Sequence, residues 1–240
     1  MIVRRISIVG MLVLGACSSN ELDTDAPDAQ HEDVDAGVSA DANLGCSDPS
    51  AVLPIAWRSI NAVSTGQIEP LNVGSAYVDG SAGGIQNAAD NPYIYLRFGS
   101  SLVEKVEITD TEARSSDQWD LAIKRMVFLS NGGDSGQGGR SIAPVSAATV
   151  EEVDSAPSEA SFWVDDWVTD DCEFISGQIG EPASAVGTWY EYDLGTSRLT
   201  PKDTVFVLQR PDSSLFKFKI ETYYYGDKGS AHYELHWAPL

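Results

Sequence analysis

The chain has 240 residues, with 15 Lys and Arg against 36 Asp and Glu, a formal net charge of −21. Phosphate recognition runs on clustered Lys and Arg, so this balance argues against a nucleic-acid partner and against basic docking to an anionic lipid surface. Apolar residues are 42 % of the chain, enough to bury a core over most of its length, and no apolar run reaches the roughly 18 to 20 residues a membrane-spanning helix needs.

The N-terminus has the form of an address. Arg4 and Arg5 precede a short apolar stretch, Ile6 to Leu14, which ends in Leu14-Gly15-Ala16-Cys17. Small residues at a cut followed directly by a cysteine form a bacterial lipoprotein signal rather than a plain secretory one. The reading is removal of residues 1–16 and lipidation of Cys17. Fatty chains anchor by roughly 0.8 kcal/mol per buried CH₂. Ser18 rather than an aspartate follows the cysteine, which favours the outer membrane within the cell envelope.

Residues 17–45 are tether. The stretch after Cys17 holds eight acidic residues, no Lys or Arg and no Phe, Tyr or Trp. Self-repulsion and low hydrophobicity keep such a segment disordered. Asp33-Val34-Asp35-Ala36-Gly37 is too short for a calcium loop and lacks the closing Glu. With Cys17 lipidated, Cys46 and Cys172 remain, and in an oxidising compartment they are expected to pair as a disulfide.

Residues 46–240 read as one all-β domain. Residues 73–92, rich in Gly, Ala, Ser and Asn, look like a long loop. Tyr93 to Phe98 and Leu102 to Ile108 make a hairpin around Gly99-Ser100-Ser101. Trp119, Leu121, Ile123, Val127 and Leu129 mark one inward face, which places Met126 inside a strand. Glu151 to Trp167 is ambiguous. Thr204 to Gln209 is a β-branched and aromatic run between prolines. Phe216 to Glu221 and Ala231 to Trp237 alternate cleanly, with Tyr233, Leu235 and Trp237 inward. Period-two patterns split by Gly, Asn, Asp and Pro predict an antiparallel sheet or sandwich.

Several motifs carry chemistry on paper. Gly133-Asp134-Ser135-Gly136 has the surroundings of a protease nucleophile, but a serine nucleophile needs a histidine base. The only upstream histidine is His31, in the tether. No catalytic set emerges, and the chain reads as a non-enzyme. The Asn131–Gly139 loop is a flexible hairpin loop with Asn131, Asp134 and Ser135 as candidate ligand contacts, since mobile loops on rigid sheets often carry function. His232 and His236 flank Glu234, but four positions of strand span about 13 Å, so one zinc ion, at about 2.0 Å from each nitrogen, does not bridge them. No metal site is expected.

Ser116 to Arg125, a Trp-Asp-apolar-Ala strand ending in Arg, followed by Leu129 to Gly139, resembles the HmuY family. Thr188 to Tyr192, Thr204 to Leu208, Phe216 to Ile220 and Tyr223-Tyr224 follow in the family's order. The resemblance covers about residues 93–240 and leaves 46–92 as an N-terminal extension. It implies an all-β envelope lipoprotein that captures haem for an outer-membrane receptor. Haem iron takes axial His, Met or Tyr ligands. Leu194 stands where the resemblance places a histidine, and Val150 to Ser184 holds no His or Met. The family's axial ligands are therefore not evident, and Tyr190 and Tyr192 are the remaining candidates. The alternative is a non-haem ligand- or protein-binding lipoprotein on the same fold.

Overall fold

The computed structural model describes residues 59–169, 173, 175 and 181–240. The signal, the tether, Cys17, Cys46 and Cys172 lie outside the described residues. Twelve strands and one short helix follow one another in that part: β1 (Ile68–Asn72), β2 (Ser75–Asp79), β3 (Ile94–Phe98), β4 (Val103–Val106), α1 (Asp110–Ala113), β5 (Leu121–Lys124), β6 (Val127–Ser130), β7 (Ser141–Ser146), β8 (Tyr190–Asp193), β9 (Arg198–Pro201), β10 (Thr204–Gln209), β11 (Leu215–Thr222) and β12 (His232–Pro239).

All named pairings are antiparallel. One sheet has six strands in the order β1-β2-β12-β11-β10-β7, a second has four in the order β4-β3-β5-β6, and β8-β9 form a separate ribbon. The two larger sheets face each other. Leu96, Phe98, Leu121, Ile123 and Phe128 from the four-stranded sheet share one buried cluster with Phe206, Phe218, Ile220, Tyr233, Leu235 and Trp237 from the six-stranded sheet. Phe98 is the hinge pin of that layer, with its ring 5.4 Å from Phe218, 6.0 Å from Phe216 and 6.4 Å from Trp237. The fold is therefore the antiparallel sandwich that alternation in β11 and β12 predicts.

The outer faces are partly covered as well. Tyr95, Trp119, Ala122, Val127, Leu129 and Trp167 form a second buried cluster behind the four-stranded sheet. A capping box starts α1 there: Thr109 Oγ1 accepts from Glu112 N, and Glu112 Oε2 accepts from Thr109 N. Both otherwise orphaned donors are thereby satisfied. Val150, Val153, Val205 and Val207 make a third cluster behind the six-stranded sheet. Its edge strand β7 is guarded by Trp163, which exchanges two 2.8 Å backbone hydrogen bonds with Ile142. This bridge takes up the free backbone groups of Ile142 on the outer side of that edge.

Three sequence expectations need correction. Residues 73–92 are not one long loop: Ser75–Asp79 is β2, paired with both β1 and β12. Both of its faces are buried and its side chains are mixed in polarity, so no alternation marks it. Trp119 to Leu129 is not one inward face. The chain reverses at Arg125, which has φ 54°; Leu121 and Ile123 enter the central layer, and Trp119, Val127 and Leu129 enter the outer one. Met126 accordingly sits in the turn rather than inside a strand. Finally, the Asn131–Gly139 loop does not join two strands of one hairpin. It crosses from β6 in one sheet to β7 in the other.

Candidate functional site

The β6–β7 crossing is built by its own polar residues. Asn131 is fully buried. Its Nδ2 donates to Ser116 O at 2.8 Å and Trp119 O at 2.9 Å, and its Oδ1 accepts from Gly138 N at 2.9 Å. A Cβ on Gly138 would lie 2.4 Å from the Asn131 amide, so that position admits only glycine without displacement. Far from being a flexible loop, this segment is closed around one amide.

The same loop clasps the segment before Trp167. Asp165 is buried and accepts from Ser130 N at 2.7 Å and Ser130 Oγ at 2.8 Å. In return, Asp134 Oδ2 accepts from Trp167 N at 2.8 Å, and Ser135 Oγ accepts from Trp167 Nε1 at 2.9 Å. Burial pushes the Asp165 carboxyl up to about 7, against the lowering effect of its serine donors. Of the candidate contacts in this loop, Asn131 and Asp134 hold backbone groups and Ser135 holds the Trp167 indole, with Asp134 exposed and the other two buried.

A second constellation forms where the β5–β6 turn meets β8. Tyr190 Oη lies 3.9 Å from Met126 Sδ and donates to Glu181 Oε1 at 3.4 Å. Trp189 fixes the turn by donating from Nε1 to Met126 O at 3.0 Å, and its ring stands edge-on to Tyr190 at 4.9 Å. Burial pushes the Glu181 carboxyl up to about 7. Burial first, and the Glu181 charge next, push the Tyr190 phenol up to about 12. Tyr192 is half exposed on the same face of β8. Leu194, at the tip of the β8–β9 ribbon, is 85 % exposed.

The candidates thus fall into two sets, Asn131, Asp134 and Ser135 in the crossing loop and Tyr190 and Tyr192 on β8. No hydrogen bond or ring contact joins the two sets among the described residues. Met126 and Glu181 are the functional candidates that sequence reasoning missed. Met126 had no direct signal: the period-two register of Trp119, Leu121, Ile123, Val127 and Leu129 runs straight past it, with Arg125 its one charged member. For Glu181 there was none either, because acidic residues are everywhere in this chain.

The histidines are already engaged. His232 Nδ1 lies 2.7 Å from Tyr77 Oη, with Asp79 at 3.6 Å, and burial lowers its pKa. His236 lies between Glu221 at 3.4 Å and Glu234 at 3.1 Å, one carboxylate at each ring nitrogen. Among the described residues no group of three or more His, Cys, Asp and Glu converges as a metal site.

Comparison with known proteins gives one family. The model of the HmuY protein family matches residues 87–237, beginning somewhat earlier than the sequence motifs do. An apo HmuY analog of Tannerella forsythia aligns at TM-score 0.48 and 14 % identity, covering 74 % of this chain and 97 % of its own. A proposed lipoprotein of Bacteroides fragilis aligns at TM-score 0.47 and 16 % identity, covering 71 % and 91 %. A proposed HmuY-like haem-binding protein of Bacteroides vulgatus aligns at 0.46 and 14 %, covering 74 % and 97 %. No curated protein matches.

Proposed function

The chain belongs to the HmuY family, and we propose that it is a binding lipoprotein of the cell envelope, anchored through Cys17 and taking haem or a related porphyrin beside β8. In this scheme residues 1–16 are the signal, 17–45 the acidic spacer and 46–240 the binding domain. An outer-membrane receptor would be the next recipient of the ligand.

One observation carries the reading: the Met126 thioether and the Tyr190 hydroxyl meet at 3.9 Å, on the rim of an aromatic cluster that includes Trp189, Tyr223 and Tyr224. Met and Tyr are both established axial ligand types for haem iron, and bound haem supplies an open iron coordination position. The two side chains are of a type that ligates haem iron, although neither is histidine. Glu181 Oε1 already accepts the Tyr190 hydroxyl hydrogen. A carboxylate with its pKa near neutrality is matched to receive that proton if Tyr190 binds as the phenolate. Trp189 holds the Met126 backbone, so the turn presents its sulfur from a fixed base.

Haemin titration of the full chain tests this. Saturation at one equivalent with a shifted Soret band is the expected result. Tyr190→Phe and Met126→Leu should each change the band and weaken binding by about tenfold, the effect of losing one good polar partner. A non-saturating rise, identical in the variants, would overturn the reading.

A second reading rests on a different feature. Leu194 is 85 % and Tyr192 50 % exposed at one end of the β8–β9 ribbon. An apolar tip of this kind suits contact with a protein partner, and it would keep its role if haem does not bind.

A further inference from the structure

A cleft of about 440 Å³ opens between the β6–β7 crossing and the β10–β11 turn, lined among others by Arg97, Asp117, Arg140, Arg210 and Asp212. Three guanidiniums meet there, in a domain with only 13 Lys and Arg from Cys46 onward. Such a concentration in an acidic chain calls for a reason.

The floor is a buried ion cluster with unequal charges. Asp120 is fully buried; it accepts from Arg140 Nε at 3.2 Å, from Arg210 Nε at 3.0 Å and from Arg210 Nη2 at 2.5 Å. Arg140 is 5 % and Arg210 11 % exposed at the side chain. One carboxylate therefore faces two largely buried cations, and one positive charge is left over at the floor. Phe216 stacks beneath Arg210 at 4.3 Å and Phe98 O accepts its Nη2, so the guanidinium is fixed in place.

Donors remain to be used. Arg140 spends Nη1 on Gly138 O and Nη2 on Asp117 O, both at 2.5 Å. Arg210 Nη1 has no acceptor among the described residues. No side-chain nitrogen or oxygen among the described residues is buried without a partner, so that Nη1 keeps contact with solvent, and Arg210 lines the cleft. Arg97, exposed at the rim, makes no hydrogen bond or ion pair among the described residues. Two carboxylates share the rim. Asp212 is turned to Ser214, whose N and Oγ it accepts at 3.0 and 2.6 Å. Asp117 is exposed, where water and salt screen it.

We infer that this cleft is an oxyanion site, taking a small polycarboxylate or a phosphate on Arg210 and Arg97 above the Asp120–Arg140 floor. A planar guanidinium with fixed orientation and free N–H groups matches carboxylate and phosphate oxygens in pairs. Fixing Arg210 before the ligand arrives removes the ordering cost from binding. Three guanidiniums stand against three carboxylates here, Asp117, Asp120 and Asp212, so the attraction comes from the oriented N–H groups of Arg210 and Arg97 and not from net charge. The site is independent of Tyr190 and Met126, so it stands or falls apart from haem.

The test is calorimetric titration of the full chain with citrate and with inorganic phosphate, at ionic strength held constant with NaCl. One-to-one saturable binding of either anion is expected, and the anion that binds names the chemistry. Arg97→Ala, which breaks no internal bond, should weaken binding about tenfold or more with an unchanged urea midpoint. Failure of both anions to saturate, or equal binding by Arg97→Ala, would overturn the site.

Discussion

Asp120 and Arg210 stand ninety positions apart in the chain, yet Asp120 Oδ2 and Arg210 Nη2 meet at 2.5 Å inside the sandwich. Asp120 immediately precedes β5 of the four-stranded sheet and Arg210 immediately follows β10 of the six-stranded one, so the pair ties one sheet to the other. Phe98 N also donates to Asp120 Oδ2, at 2.8 Å. A buried ion pair is expensive to form but more expensive to break from one side.

Asp120→Asn should therefore destabilise the domain by about 3 to 5 kcal/mol, because it leaves two largely buried cations against a neutral amide. Chemical denaturation with a steady m-value measures it. A loss below about 1 kcal/mol would mean that the arginines move out to water and that the pair holds no sheets together.

Acidity should tighten the domain rather than loosen it. The Asp165 and Glu181 carboxyls are both held near 7 by burial, above ordinary carboxylate values. A group whose folded pKa is raised takes up protons in the native state, so stability falls as pH rises from about 4 to about 7 and is level above that. Lowered carboxylates such as Glu112 and Asp193 act only at the acid end of this range, with the opposite sign, and the single lowered His232 opposes the two raised carboxyls as pH falls through its ordinary 6.5. Melting temperature should then rise by a few degrees from pH 7.5 to 5.5. Asp165→Asn should flatten that slope; an unchanged slope would move its origin away from the clasp.

Alternation told most of the fold. In β11 and β12 one face packs on Phe98 and Phe128 and the other carries Lys217, Lys219, Glu234 and His236, so the pattern is written in the residues. It fails for β2, β5 and β6, which are buried on both faces and lose the period. The glycine-rich loop misleads for another reason. Gly, Asn and Ser are the residues of mobile turns, and also those that fit where Asn131 fills the space beside Gly138. Tyr190 is visible in the sequence through family resemblance. Met126 is not, since only the left-handed Arg125 turns its sulfur toward β8.

Cys46 and Cys172 should form a disulfide. Their bridge would close a loop of 127 residues, worth on the order of 4 to 5 kcal/mol in the chain-entropy view. Non-reducing peptide mapping should recover the two cysteine peptides as one species, and reduction should lower the melting temperature. Two freely alkylated thiols under oxidising conditions would remove the bridge and leave the sandwich to stand on its packing alone.

Lipidation at Cys17 is the prediction on which the envelope placement turns. Leu14-Gly15-Ala16-Cys17 offers one thiol at the cut, and a single fatty chain holds a protein only marginally, whereas several hold it lastingly. Labelled palmitate should enter the wild-type chain and not Cys17→Ala, and the variant should leave the membrane fraction. Equal labelling of both would end the anchor. Loss of label without release from the membrane would instead mean that another contact holds the domain there, and the apolar tip at Tyr192 and Leu194 would be the first place to seek it.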